Sequence, residues 1–287
     1  MNLSYHQPAD WITNPTQEPI ILGSTIFILP GTKMRRDPGL QMLFGPGCTF
    51  QEDVCVHAHS VPKGDFEGWL TGFIGIRPEE AVKVMKRFAN SMEDGFKGGI
   101  ILGPVNNFGH KAVCHGTVIS GYNVFYGLRS TVHDLVVGNN VYIGHETKMF
   151  NCFVDDNVEI QESCEIKNCI IGKNVRIGDF CTLKNCIIQD NTVIEAGVKI
   201  LANKERKVRI GRDSWLSIAC EVYVDIDEGS LVPMRMVIVG ADEASKLNKN
   251  IGIKPITNFG LVVWNHMMEL SQLPHGVMNF IKDEFFK

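Results

Sequence analysis

Nine histidines are spread through this 287-residue chain, and three stand where imidazole could do chemistry. His57 lies in QEDVCVHAHS, and His110 and His115 lie five residues apart in GHKAVCHG. On a helix, side chains share a face at spacings of three or four. In an extended chain, residues five apart are separated by about 16 Å at 3.3 Å per residue. They also face opposite sides of a straight strand. One chain therefore does not bring His110 and His115 onto one ion. Two chains side by side can, with His110 donated by a neighbour, and a three-fold axis would repeat that site at each interface. Taken singly, each histidine reads as an ordinary half-buried residue with a hydrogen-bond partner. The nine cysteines contain no CxxC pair, which argues against a cysteine-only zinc site. An odd number of them in a chain of this length reads as reduced thiols in the cytosol.

A repeat must position these groups. NCFVDDNVEI (151–160), NCIIGKNVRI (168–177) and NCIIQDNTVI (185–194) share one pattern, each starting 17 residues after the last. LVVGNNVYIG (135–144) fits one step earlier through Val137, Val154, Ile171 and Ile188, and ISGYNVFYG one step before that, with Ile119 at a spacing of 18. Within a coil, large aliphatics recur about every six residues, as at Val137 and Ile143. Such a period is too short for helix pairs and suits a triangular prism with one inward apolar side chain per side and coils stacked at about 4.8 Å. Gly-Lys-Asn, Gly-Asn-Asn and Asp-Asp-Asn supply tight corners. Asn151, Asn168 and Asn185 should stack, with Cys152, Cys169 and Cys186 beside them and Cys164 and Cys181 as a second pair of small buried residues. Parallel crossovers are almost always right-handed. The [LIV]-G-x-x-x-x hexads nevertheless resemble the hexapeptide-repeat family, which implies a mainly β, left-handed parallel β-helix.

The expected organisation is an N-terminal arm (1–17), the β-helix (18–240) and a C-terminal helical segment (241–287). An insertion (60–100) interrupts the coils. Within it PEEAVKVMKRFANSM (78–92) reads as a helix through Ala81, Met85, Phe88, Ala89 and Met92, with Pro78 at its start. Residues 202–208 read as a charged bulging loop, and 261–273 as a helix that caps the open end or lies along a face. A hydrophobic content of 44% with a net charge of −4 argues for a soluble protein and against nucleic-acid binding. With no run of 18 apolar residues and no basic-then-apolar leader, neither a membrane span nor a signal peptide is expected, and the location expected is cytoplasmic.

Two stretches resemble the γ-class carbonic anhydrases. RRDPGLQMLFGPGCTFQEDVCVHA matches that family's Arg-x-Asp element, glycine turn, Gln and first zinc histidine through Arg35, Asp37, Gly45, Gln51 and His57. LGPVNNFGHKAVCHG matches its hexapeptide turn and H-x-x-x-x-H-G through Gly103, His110, His115 and Gly116, and residues 227–247 resemble its last coil and the start of its terminal helix. The resemblance implies a homotrimer in which His57, His110 and His115 bind Zn²⁺ (Fe²⁺ or Co²⁺ being alternatives), with His110 supplied by the adjacent subunit. A zinc-bound water with a pKa of about 7 would attack carbon dioxide to give bicarbonate. Gln51 would orient the hydroxide, and Arg35 and Asp37 would pair across the interface. The chain departs from the family pattern at Pro38 and near Ser60, where carboxylates are expected, and at Leu231, where a Tyr is expected. His59, whose ordinary pKa is near 6.5, is then the candidate proton carrier, ahead of Asp65 and Glu67. Two other functions fit the coils: a metal-binding but hydration-inactive scaffold or assembly subunit, and a hexapeptide-repeat acyltransferase using a lone histidine as general base. Bound metal, one per chain, separates the first reading from the last.

Overall fold

The computed structural model describes residues 20–23, 25–61, 65–89, 92, 96–202 and 206–249. The N-terminal arm and the helix expected at 261–273 lie outside the described residues, as do residues 203–205 of the charged loop. The chain is mainly β, a left-handed parallel β-helix. Short strands pair almost wholly in parallel with the strand one coil on, and among the strands of the described residues only the last pair, Ser230–Val232 with Asn248–Lys249, is antiparallel.

The prism has three faces. One stacks Ile21–Leu22, Gln41–Phe44 and Gly99–Leu102 under later coils that end at Val208–Ile210. A second runs from Phe27–Ile28 to Ser230–Val232. The third runs from Lys33–Arg36 and Cys55–Ala58 through the first halves of Val113–Ser120, Thr131–Val137 and Lys148–Val154 to Val237–Ile238. Those three long strands turn a corner, so their second halves belong to the first face.

Alternation puts every second side chain inside. On the third face Met34, Val56, Cys114, Val132, Met149 and Ile166 form one unbroken buried column. The 17-residue step is borne out, with one correction. Ile119 pairs with Val136 rather than Val137, and Ser120 takes the inward place opposite Val137. The extra residue of that coil sits just before, where His115 pairs with His133 but Val118 pairs with Leu135. Gly116 fills the bulge at φ +84, and a Cβ there would lie 2.4 Å from the Asp134 carboxylate.

The corners are held by asparagine. Asn151, Asn168 and Asn185 form the expected ladder through amide bonds of 2.9 and 3.0 Å. A second ladder runs through Asn123, Asn140, Asn157, Asn174 and Asn191. All eight have φ between 54 and 58°. Asparagine tolerates that left-handed conformation, and its amide is both donor and acceptor, so a stack satisfies itself. The cysteines are all free, and Cys152, Cys164, Cys169, Cys181 and Cys186 are buried in the prism.

The insertion answers a burial problem. The outward column of the first face, including Ile101, Ile119, Val136 and Phe153, is apolar and buried. The insertion covers it with Phe66, Trp69, Leu70, Ile74, Ala81, Val84 and Phe88. The expected helix is shorter than its periodicity suggested. It spans Pro78–Phe88, with Pro78 in its first turn, Ala89 exposed and Val84 on the buried face instead. A short helix, Phe66–Gly68, and a π-helical turn, Trp69–Ile74, precede it.

Candidate metal centre

The third face presents its outward side chains in registered columns. Arg35 pairs with His57, His57 with His115, and His115 with His133. Two histidines 58 positions apart in the chain become neighbours because the insertion leaves and rejoins the prism within one coil; Ser60 and Gly98 bridge its two ends. The His57 and His115 rings lie 4.9 Å apart. His59, two residues on and on the same face, closes a triangle, with its ring 4.0 Å from His57 and 4.3 Å from His115. One ring nitrogen from each of His57, His59 and His115 falls within 4.8 Å of the others, and all three side chains are half-buried.

Asp37 organises the group. Its Oδ1 lies 3.2 Å from His57 Nε2, and its Oδ2 lies 2.8 Å from His59 Nδ1. An ionised carboxylate only accepts, so both nitrogens carry the ring proton. Burial acts to raise the Asp37 carboxyl, but hydrogen bonds from His57 and His59 outweigh it and hold the group below the usual carboxylate range. The other nitrogen of each ring then carries a lone pair. His59 Nε2 faces His115 Nε2 at 2.9 Å. Burial, and then the neighbouring His59, His133 and His57, push the His115 imidazole down to about 4, so it is neutral at pH 7. The 2.9 Å between the His59 and His115 nitrogens suits a shared divalent ion: two imidazole nitrogens on a tetrahedral Zn²⁺ stand about 3.3 Å apart, given Zn–N bonds of about 2.0–2.1 Å.

The other expected site residues are placed as follows. His110 stands at a corner, with its backbone N–H donating to Gln51 Oε1 at 2.9 Å and its Nδ1 3.8 Å from Glu52. Within one chain it does not join His57 and His115, in line with the spacing argument. Gln51 is buried and clasps the His110 turn. Arg35 is exposed beside His57, and its ion pair with Asp37 is not formed within the chain; Asp37 turns to the two histidines instead. Asp65 caps the first helix of the insertion, accepting from the Gly68 N–H at 2.7 Å. Leu231 lies on the second face, away from the histidines.

Sequence reasoning missed His133 and Asp134. The His133 ring lies 4.8 Å from that of His115. Its Nδ1 is 2.9 Å from Asp134, whose hydrogen bond raises the His133 pKa. Asp134 occupies the corner one coil before Asn151 and also accepts from the Thr117 N–H at 3.0 Å. The signal was present, since His133 follows His115 by 18 residues, one coil length.

The match to a known family reaches the later coils and not this centre. The family model described as the GMPPB C-terminal domain matches residues 123–205. No curated protein matches the chain. Among solved structures, the UDP-N-acetylglucosamine acyltransferase of Arabidopsis is 13% identical with a TM-score of 0.45, the alignment covering 97% of each chain. That of Francisella novicida is also 13% identical, with a TM-score of 0.36, covering 93% of this chain and 91% of its own. The family match begins at residue 123, after His57, His59, His110 and His115, so those four rest on their own geometry.

Proposed function

We propose that this chain is a metal-dependent hydratase of the γ-carbonic-anhydrase type, acting on carbon dioxide and bicarbonate in a homotrimer. The observation that carries this reading is the convergence of ring nitrogens from His57, His59 and His115 within 4.8 Å, ordered by Asp37. His57 and His115 are the two ligands that one chain supplies, and His110 of the partner subunit supplies the third. When bound, the metal is a Lewis acid that activates water at neutral pH. Asp37 keeps the His57 and His59 rings in the tautomers that present a lone pair, which sharpens their aim as ligand and base. Gln51 fixes the His110 turn so that its imidazole projects from the corner toward a neighbour. His59 touches His115 and its side chain is 34% exposed, so a proton released beside His115 passes through His59, held in place by Asp37, to the solvent, the task that carboxylates at the Pro38 and Ser60 positions would otherwise do.

The same Asp37–His59 contact favours a second reading, a metal-free acyltransferase in which a carboxylate-oriented imidazole is the general base. Metal content separates the two. Zinc per chain should be measured by elemental mass spectrometry after dialysis, alongside mass by light scattering, in wild type and in the His57→Ala, His59→Ala, His110→Ala and His115→Ala variants. About one zinc per chain, lost in His57→Ala, His110→Ala and His115→Ala but kept in His59→Ala, supports the reading. Loss in His59→Ala with retention in His110→Ala would make the site a single-chain one. Zinc-free wild type, or full zinc in His57→Ala and His115→Ala, would refute it.

A further inference from the structure

The insertion stops short of the end of the apolar column that it covers. Beyond Phe153 the outward column continues through Ile170 and Ile187, which stay partly exposed, and ends at Arg209. Between these coils and the start of the helix Pro78–Phe88 lies a cleft of about 500 Å³. That is within the ~300–1,000 Å³ of small-molecule sites. Its floor is apolar, and five Lys or Arg side chains line it against three carboxylates. Those charges are unevenly spent. At the helix end Glu80 pairs with both Arg77 and Lys83, at 3.2 and 3.1 Å. At the far end three cations, Lys173, Arg209 and Arg212, face two lining carboxylates, Asp155 and Asp190, the latter accepting from the Lys173 backbone N–H at 2.9 Å. Lys173 and Arg212 have only 3.4 Å contacts, with Asp156 and Glu228, and Arg209 has no ion pair among the described residues.

We propose that this cleft binds a small amphiphilic anion, its apolar body on Ile170 and Ile187 and its carboxylate or phosphate on Arg209, Arg212 and Lys173. An isolated apolar patch would take neutral molecules equally well. A row of cations at one end, with the helix-end cations Arg77 and Lys83 already paired by Glu79 and Glu80, selects a ligand charged at one end only. Arginine suits that role because its planar fork meets carboxylate and phosphate oxygens two at a time. The histidines occupy another face of the prism, so this site stands or falls independently of the metal centre.

The test uses the full chain, treated with chelator, and two probes that share one aromatic body: 1-anilinonaphthalene-8-sulfonate and its uncharged counterpart N-phenyl-1-naphthylamine. Fluorescence titration should show one saturable sulfonate site per chain, at least tenfold tighter than the uncharged probe. Arg209→Glu should weaken the sulfonate tenfold or more and leave the uncharged probe within twofold; Arg212→Glu serves as a second variant should the first lose its thermal transition. Displacement by octanoate identifies a carboxylate ligand, and displacement by octyl phosphate a phosphate ligand; either supports the site. Equal affinity for the two probes, undiminished sulfonate binding in both variants, or displacement only by an acidic peptide would overturn it, the last in favour of a protein partner.

Discussion

Replacing Asp37 with asparagine tests whether the carboxylate, rather than the histidines alone, builds the metal centre. Asp37 takes the ring N–H of His59 at 2.8 Å and that of His57 at 3.2 Å, one on each oxygen. Asparagine keeps one acceptor and turns an N–H₂ group toward the other ring, which must release its proton to the opposite nitrogen or rotate away. A hydrogen bond to a charged group contributes ~1.5–3 kcal/mol. The Asp37 side chain is 34% exposed. Water therefore screens the interaction, and the lower end applies, about 1.5 kcal/mol or roughly tenfold in affinity. That agrees with the 10- to 100-fold cost of about one lost outer partner at a metal site. Zinc affinity should be measured by competition with a chromophoric chelator at pH 7.5, with the thermal midpoint as a check on the fold. Asp37→Asn should bind zinc about tenfold more weakly with little change in midpoint. Affinity within twofold of wild type would refute the orienting role. So would an equal loss in Arg35→Ala, because Asp37 would then act through Arg35 across the interface.

Three further outcomes follow from the fold and the electrostatics. Trp69 is fully buried between the insertion and the first face, so Trp69→Ala should cost roughly 3–5 kcal/mol in denaturant unfolding; a loss below 1 kcal/mol would mean that the insertion is not part of the folded core. Asn140, at φ +54, takes part in ladder bonds of 2.9 and 3.2 Å, so Asn140→Gly should lose the ladder bonds alone, and Asn140→Ala should lose about 1 kcal/mol more from left-handed strain; equal midpoints for the two variants would contradict this. His115 is held at about 4 against 6.5 in an unfolded chain. Between those values the unfolded chain binds a proton that the folded chain does not, so this group lowers stability as pH falls from about 6.5 to 4 and has no such effect above 6.5. In metal-free protein His115→Gln should flatten the thermal midpoint over that window, and an unchanged profile would remove the assigned cause.

Most of the prism was legible in the chain. The 17-residue step, the asparagine corners and the buried cysteines follow from local patterns, because every coil repeats one backbone path and places its corner residues in the same conformation. The slip at Ile119 arose where one coil gains a residue, and only pairing with the next strand shows whether the excess falls before or after it. The helix of the insertion was visible from its periodicity, but not the surface that it covers. That surface is the outward column of a strand face, whose alternation in sequence does not say that both faces are buried.

The candidate centre divides in the same way. In the sequence, only the resemblance to a known family linked His57 with His115, while spacing alone argued that one extended chain does not easily bring His110 onto the same ion as His115. The sequence also singled out His59, although as a proton carrier rather than a neighbour within hydrogen-bond reach of His115. Only the tertiary structure decided that Asp37 serves two histidines, that His133 extends the column with Asp134 behind it, and that a charged cleft opens where the insertion ends. Contacts between stacked coils depend on register summed over turns, bulges and a forty-residue excursion, and one residue of slip would turn an outward imidazole into the core.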